Sequence, residues 1–137
     1  MIVDTSVIYA LLDRSDNNHA AVARWYRSTI PAFTTTPLIL AEVDHLAGAR
    51  AGRVAQQAWR EDLSHGVYDV AWWPGAEREA AAIAERYGDL RVGLADASLV
   101  ALADRLRTED IATLDERHFR VMRTAPGKPF RILPRDV

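Results

Sequence analysis

Cysteine is absent from the 137-residue chain, and lysine nearly so, because all but one of the seventeen basic residues are arginine. Without cysteine there can be no disulfide, thiolate nucleophile, thiolate zinc site or iron–sulfur cluster. No apolar run approaches the ~20 residues that a membrane-spanning helix needs. The N-terminus also lacks the basic start and apolar stretch of a secretory signal. These absences predict a cytoplasmic protein with no membrane segment.

The chain also lacks a large excess of charge of either sign, since its net charge is −2. Apolar residues make up 49% of the chain and charged residues 26%, which is typical of a globular protein and excludes intrinsic disorder. The length predicts a single domain over residues 1–137. Acidic residues predominate before Arg105 and basic residues after it. This asymmetry favours cation binding by the first part and contact with a polyanion by the tail. The use of arginine in place of lysine suits bidentate binding of phosphate, or it reflects only codon bias in a chain that is rich in alanine and arginine.

Short β-branched segments alternate with segments of helical periodicity from end to end. We predict strands at 1–3, 32–35, 67–70, 110–113 and 130–133. Helices are predicted at 7–12, 20–26, 38–51, 54–63, 76–87 and 94–106, with a short turn or helix at 115–119. The alternation predicts an α/β fold with a mainly parallel central sheet. Ligands of such sheets bind beyond the carboxyl ends of the strands, so the residues that follow each strand are the first candidates for a site.

Two carboxylates follow predicted strands. Asp4 comes directly after the first strand, and Asp115 follows the strand at 110–113 by two residues. Each can be a functional residue at the edge of the sheet. Each can equally be a helix cap or turn residue, which is a common position for aspartate. Because the strands are parallel, both side chains are expected at the same edge.

Two further carboxylates lie on predicted helices. Asp96 shares its helix face with Leu99 and Val100, and Glu42 shares its face with Leu38 and other apolar residues. An unpaired carboxylate on an apolar stripe costs several kcal/mol, so it needs a cation, a metal ion or a proton. We therefore interpret Asp96 and Glu42 as inward-facing functional residues.

Four carboxylates that converge on one pocket cannot all stay ionised without a cation, because like charges raise one another's pKa. A set of hard oxygen donors selects Mg²⁺ or Mn²⁺. Zinc is not expected, because the chain has no cysteine and its four histidines are scattered along the sequence. Carboxylate-bound Mg²⁺ is suited to phosphoryl transfer, in which it activates water and neutralises charge on a phosphate.

The sequence resembles the PIN-domain family, and within it the VapC-type toxin ribonucleases of type II toxin–antitoxin systems. The matching segments are Val3-Asp4-Thr5-Ser6, Ala41-Glu42-Val43, Gly93-Leu94-Ala95-Asp96-Ala97, and Ala112-Thr113-Leu114-Asp115 followed by His118-Phe119. The resemblance implies a three-layer α/β/α sandwich and Mg²⁺-dependent endoribonuclease activity, with Mn²⁺ as a substitute. It also implies a homodimer and a small VapB-type antitoxin that covers the active site.

The resemblance also implies a role for individual residues. Asp4 and Asp96 are the expected metal ligands, and Glu42 and Asp115 complete the catalytic set. Ser6 and Thr113 are expected to hold waters or carboxylates by hydrogen bonds, and Thr5 is a further candidate. The resemblance further implies that a metal-activated water attacks the RNA phosphodiester of a tRNA, rRNA or mRNA and leaves 5′-phosphate and 3′-hydroxyl ends. The candidates for RNA contact, or for solvated surface charge, are Arg91, Arg117, Arg120 and Arg123.

Other functions remain compatible with the sequence. A receiver-like signalling domain shares the size and fold class, but Thr5 stands where a second acid is needed and Ala71 to Trp73 stand where a phosphoacceptor is needed. A non-catalytic protein-binding module could use the acids to hold a structural cation. An RNA-processing nuclease without an antitoxin is the third alternative.

Overall fold

A computed structural model describes residues 1–136 as a five-stranded parallel sheet flanked by helices. The spatial order of the strands is β3-β2-β1-β4-β5, and every neighbouring pair is parallel. This confirms the predicted α/β fold with a mainly parallel sheet. The strands, shorter than predicted, are β1 (Ile2–Val3), β2 (Thr34–Thr35), β3 (Asp69–Val70), β4 (Asp110–Ala112) and β5 (Arg131–Leu133).

The helices occur where the periodicity predicts them, with one difference. The predicted helix over 38–51 ends at Leu46 and continues as a π-helix over Ala47–Ala51, where the Gly52 amide donates to the Ala47 carbonyl five residues earlier at 2.9 Å. A 3₁₀ turn also spans Gly88–Leu90. The α-helices are α1 (Thr5–Leu12), α2 (His19–Thr29), α3 (Pro37–Leu46), α4 (Arg53–Ser64), α5 (Ala76–Arg86), α6 (Leu94–Leu106) and α7 (Glu116–Phe119).

The strand order produces a three-layer arrangement. The chain moves outward from β1 through β2 to β3, then returns past β1 to β4 and β5 on the other side. Because crossovers between parallel strands are right-handed, α1 to α4 cover one face of the sheet and α5 to α7 cover the other. The strand order reverses between β1 and β4, which are neighbours in the sheet: successive strands are added on one side of β1 and then on the other. This switch point is where open α/β sheets form ligand crevices.

The two central strands are the most deeply buried. Ile2 and Val3 of β1 and Ile111 and Ala112 of β4 have no exposed surface, which explains why these short segments are apolar without alternation. Their side chains belong to one continuous core cluster with helix residues such as Leu99. The buried strands thus provide a rigid base for the polar residues that follow them. No helix in residues 1–136 is long and apolar enough to cross a membrane.

Candidate functional site

An acidic cleft of about 480 Å³ opens at the carboxyl ends of β1 and β4. Its wall contains all four carboxylates that the sequence analysis singles out, together with Asp16. The two that follow strands come from the switch point, and the two on helices come from α3 and α6, which pack against each other. A buried hydrogen bond of 2.7 Å between the hydroxyls of Thr36 and Ser98 also joins the start of α3 to α6.

Asp4 lies at the base of the cleft and is 4% exposed. Its backbone amide continues the sheet by donating to the Ala112 carbonyl at 2.9 Å. Its side chain caps α1 by accepting a hydrogen bond from the Thr5 amide at 2.7 Å. The functional and capping interpretations of Asp4 are therefore compatible, because one carboxylate oxygen serves the cap and the other faces two hydroxyl groups.

Those hydroxyls belong to Ser6 and Thr113, the two predicted supporting residues. Thr113 donates to Asp4 Oδ2 at 2.6 Å, and Ser6 donates to the same oxygen at 3.2 Å. Each hydroxyl also accepts a backbone hydrogen bond, from the amide of Leu114 to Ser6 and from the amide of Asp115 to Thr113. The network connects the start of α1 to the segment after β4 and fixes the orientation of the Asp4 carboxylate.

Burial raises the pKa of Asp4 from 3.8 to about 7, and the negative charge of Asp96 adds to the rise. The hydrogen bonds from Thr113, the Thr5 amide and Ser6 lower the pKa but do not offset the burial. Asp4 is thus a carboxyl whose ionised form lacks sufficient compensating charge in the protein alone. A cation bound in the cleft would supply that compensation.

Asp96 lies in the first turn of α6, with its side chain 19% exposed. Leu99, Val100 and Ala103, which follow on the same side of the helix, are buried, as predicted. Burial raises the pKa of Asp96, and the charges of Asp115 and Glu42 raise it further, whereas a hydrogen bond with His118 lowers it. The electrostatic coupling joins all four carboxylates, since Asp96 also raises the pKa of Asp4.

Asp115 and His118 form a second polar group at the edge of the cleft. Asp115 caps α7 by accepting from the His118 amide at 3.2 Å, so its predicted alternative as a cap residue also holds. The buried His118 ring places Nδ1 3.1 Å from Asp115 Oδ2 and 3.2 Å from Asp96 Oδ2. Its Nε2 lies 3.1 Å from the Leu90 carbonyl oxygen. That carbonyl and both carboxylates accept hydrogen bonds, so each ring nitrogen of His118 faces an acceptor.

The position of His118 corrects one sequence interpretation. In the sequence His118 is only one of four scattered histidines, whereas in the structure its ring joins two of the four acids. The signal that could have found it is its spacing: His118 follows Asp115 by three residues, so both reach the same side of a short helix.

Glu42 lines the cleft, but its predicted burial on an apolar stripe is wrong. The residue is exposed, whereas Ile39 and Val43 of the same helix are fully buried. The prediction depended on three apolar neighbours, of which Ile39 is fully buried but Leu38 and Leu46 are only half-buried. Glu42 therefore faces the open side of the cleft, where solvent or a ligand can reach its carboxylate.

None of the four arginines suggested for RNA contact is in the wall of the cleft. Arg120 is held by Glu116 and by a bidentate pair with Asp136, and Arg123 donates to the Arg120 carbonyl. The one basic side chain in the cleft wall, among the described residues, is Arg50 of the π-helix, which sequence reasoning missed. No periodicity signalled that the helix widens before it.

The donor set fits a divalent cation. All four acids offer hard oxygen ligands, and Asp96, Asp115 and His118 can each place a ligand atom within 4.8 Å of the others. Thr5 also lines the cleft, and its hydroxyl oxygen is buried with no hydrogen-bond partner among the described residues. Buried polar atoms are normally paired, so this hydroxyl is an exception beside the acidic residues.

Similar proteins were found by sequence and by structure. The chain is 42% identical over 135 residues to Ribonuclease VapC26 of Mycobacterium tuberculosis (strain ATCC 25618 / H37Rv), covering 98% of this chain and all of the relative. The crystal structure of Mycobacterium tuberculosis VapC20, described as a sarcin-ricin loop cleaving toxin, superposes with a TM-score of 0.74. That match is 24% identical and covers 80% of this chain and 85% of VapC20, so it supports the fold.

The family assignment rests on the sequence of most of the chain. The PIN domain model matches residues 1–123, a span that contains all four acids and His118. Neither this match nor the relative over nearly full length favours the receiver-like alternative. The acidic cleft at the switch point, the parallel sheet and the sequence match agree, and this chain belongs to the PIN-domain family.

Proposed function

We propose that this protein is a Mg²⁺-dependent endoribonuclease and the toxin of a VapBC-type toxin–antitoxin pair, formed by a single nuclease domain. The observation that carries the proposal is the convergence of Asp4, Glu42, Asp96 and Asp115 on one cleft, where burial and mutual repulsion raise the pKa of Asp4 to about 7. The similarity to a protein named Ribonuclease VapC26 supports RNA as the substrate.

Asp4 and Asp96 are the proposed metal ligands, because burial raises the pKa of both carboxyls and the negative charge of Asp96 raises that of Asp4 further. Asp115 completes the site, held in place by His118. Ser6 and Thr113 keep the Asp4 carboxylate in one orientation through their hydroxyl hydrogens. Mn²⁺, which prefers the same oxygen donors, is expected to replace Mg²⁺.

When bound, the ion supplies Lewis-acid chemistry: it lowers the pKa of a water and neutralises charge on the scissile phosphate. Glu42 faces the open side of the cleft, so its carboxylate is positioned to orient the attacking water and accept its proton. No protein nucleophile is needed. Attack in line with the leaving 3′ oxygen gives 5′-phosphate and 3′-hydroxyl ends.

The proposed partners follow from the toxin assignment. A small VapB-type antitoxin is expected to cover the cleft, and the active protein is expected to be a homodimer in the cytoplasm, where its RNA substrate is found. Light scattering of the purified chain, alone and with the product of a neighbouring small gene, tests both: a mass of twice 15.3 kDa supports the dimer, and a monomer contradicts it.

Cleavage of total RNA by the purified protein tests the activity. With Mg²⁺ we expect discrete cuts that disappear with EDTA, return when Mg²⁺ is restored in excess, and disappear in Asp96→Asn. The matched control is Asp69→Asn, which removes an exposed carboxylate of β3 outside the cleft. Cleavage that persists in Asp96→Asn contradicts the site. No cleavage by folded, partner-free protein contradicts the nuclease and favours the binding-module alternative.

A further inference from the structure

Arg50 is the single basic side chain in a cleft wall that carries five carboxylates, among the described residues. Cations in such surroundings normally pair with the nearest carboxylate. Within residues 1–136, however, no carboxylate oxygen lies within 4.0 Å of the Arg50 guanidinium, whereas Arg60 of the next helix does pair, with Asp44. The guanidinium instead lies over the ring of Tyr9, 5.9 Å from its centroid.

The Tyr9 ring is itself fixed. It is 6% exposed, and its hydroxyl donates to Asp13 Oδ2 at 2.6 Å. Burial and the negative charge of Asp13 raise the pKa of Tyr9 to about 12, so the phenol stays protonated at neutral pH and keeps donating. The ring face attracts the guanidinium without using its N–H donors. Arg50 is therefore held at the cleft with its donors available.

The π-helix explains how Arg50 reaches the face that carries Glu42. In a regular α-helix, a residue eight positions along is rotated by about 80° around the axis. The wider turn over Ala47–Ala51 reduces that rotation, and Glu42, Leu46 and Arg50 all line the cleft. The side-chain amide of Gln56 in α4 donates to the Asp44 carbonyl at 3.1 Å. A Cβ on Gly48 would lie only 2.7 Å from the nitrogen of that amide. Glycine at position 48 therefore allows α4 to pack against this turn.

We propose that Arg50 is a substrate-binding residue whose guanidinium donates to the non-bridging oxygens of an RNA backbone phosphate at the acidic cleft. This inference rests on the proposed nuclease function. Five carboxylates repel a polyanion, and a bound divalent ion offsets only two of those charges. A guanidinium at the same cleft offsets a third and supplies a planar pair of donors that matches a phosphate. The contact is to the backbone, so it acts on RNA of any sequence.

Cleavage kinetics of three variants test the role of Arg50. The substrate is a labelled RNA oligonucleotide that spans a cut mapped in total RNA, and the rates are measured in Mg²⁺ at several salt concentrations. We expect Arg50→Gln to raise KM about tenfold, which is the loss expected for a charged hydrogen bond. We also expect it to reduce the slope of log affinity against log salt concentration by about one, since one fewer phosphate is neutralised. Arg50→Lys keeps the charge but loses the planar pair of N–H donors, so its KM should be intermediate and its salt dependence should equal that of the unmodified protein.

Arg53→Gln is the matched control, because Arg53 is exposed, lies three residues along and does not line the cleft. We expect it to have the KM and salt dependence of the unmodified protein. Equal values for Arg50→Gln and Arg53→Gln overturn the inference, since Arg50 then contributes no more to RNA binding than an arginine outside the cleft. If the unmodified protein does not cleave RNA in Mg²⁺, the nuclease proposal itself fails, which is a separate outcome from a cleaving protein that tolerates Arg50→Gln.

Discussion

Asp4 combines two demands on one side chain, because it caps α1 and also contributes a buried carboxylate to the acidic cleft. The first demand is met by the Thr5 amide. The second places a negative charge close to Asp96 in a buried position, so the charged form is disfavoured. Sequence position alone could not separate the two interpretations, because a residue after a buried strand and before a helix satisfies both.

The raised pKa of Asp4 makes the stability of the metal-free protein depend on pH. Between pH 4 and pH 7 the folded state keeps a proton that the unfolded state has lost, since the two pKa values are about 7 and 3.8. Stability therefore falls as pH rises through this range, by at most about 4 kcal/mol. Asp4→Asn removes this loss. Urea unfolding in EDTA at pH 5 and pH 8 measures it, and equal pH profiles for both proteins contradict it.

Thr113 is expected to be as important for the orientation of the site as the acids. Its hydroxyl donates to Asp4 and accepts from the Asp115 amide, so Thr113→Val leaves that amide without a partner and leaves Asp4 Oδ2 with only the longer hydrogen bond from Ser6. We expect a loss of about 1–3 kcal/mol in the free energy of unfolding and weaker RNA cleavage. Thr113→Ser keeps the hydroxyl and should restore most of both. A Val variant as stable and active as the Ser variant would show that the hydroxyl is not needed.

Helix periodicity predicted the positions of the helices well and the faces of some of them poorly. The helix that begins at Leu94 has a continuous apolar side, so the inward placement of Asp96 could be predicted. In α3 the apolar residues surround the helix, and half-buried Leu38 and Leu46 gave the wrong face for Glu42. The widened turn that follows depends on contacts with Gln56 and α4, which are too distant in sequence for a local pattern to reveal.

The short helix α7 contacts several other parts of the structure through the side chain of His118. His118 contacts Asp96 of α6, Asp115 before α7 and the carbonyl of Leu90 in the 3₁₀ turn. We expect His118→Ala to lower the free energy of unfolding by about 2 kcal/mol and to weaken Mn²⁺ binding, because a partly buried carbonyl loses its hydrogen bond and two carboxylates lose their common neighbour.

His45→Ala is the matched control for His118, since His45 is exposed on α3 and makes no side-chain hydrogen bond among the described residues. Urea unfolding and Mn²⁺ titration of both variants distinguish a role at the site from a general effect of removing a histidine. Equal Mn²⁺ affinity in the two variants would limit His118 to a structural role.

At the scale of the whole molecule, the acidic residues of the cleft lie where the strand order of the sheet reverses. β1 and β4 are adjacent, and the helices that follow or precede them lie on opposite faces, so residues 92 positions apart, such as Asp4 and Asp96, approach one cleft. This convergence could be predicted from the strand–helix alternation, because parallel strands end at the same edge. The location of the positive charge could not, since the basic residues from Arg105 onwards do not line the cleft, whereas Arg50 does.

Binding of Mg²⁺ is expected to stabilise the fold, and more so at high pH. At about one hundred times the dissociation constant the ion contributes about 2.7 kcal/mol, which raises Tm by on the order of 8 °C for a domain of this size. At pH 5 the proton on Asp4 competes with the ion, so the shift is smaller than at pH 8. Thermal unfolding with and without Mg²⁺ at the two pH values measures it, and equal shifts contradict the involvement of Asp4.

Mn²⁺ binding followed by electron paramagnetic resonance is the most direct test of the acidic cleft as one metal centre, because it requires no knowledge of the RNA. The signal of the free ion should decrease as the unmodified protein binds it. Asp4→Asn and Asp96→Asn should each weaken binding at least tenfold, whereas Asp69→Asn should bind like the unmodified protein. Equal binding by all four proteins, or by none of them, would contradict a metal centre built on Asp4 and Asp96.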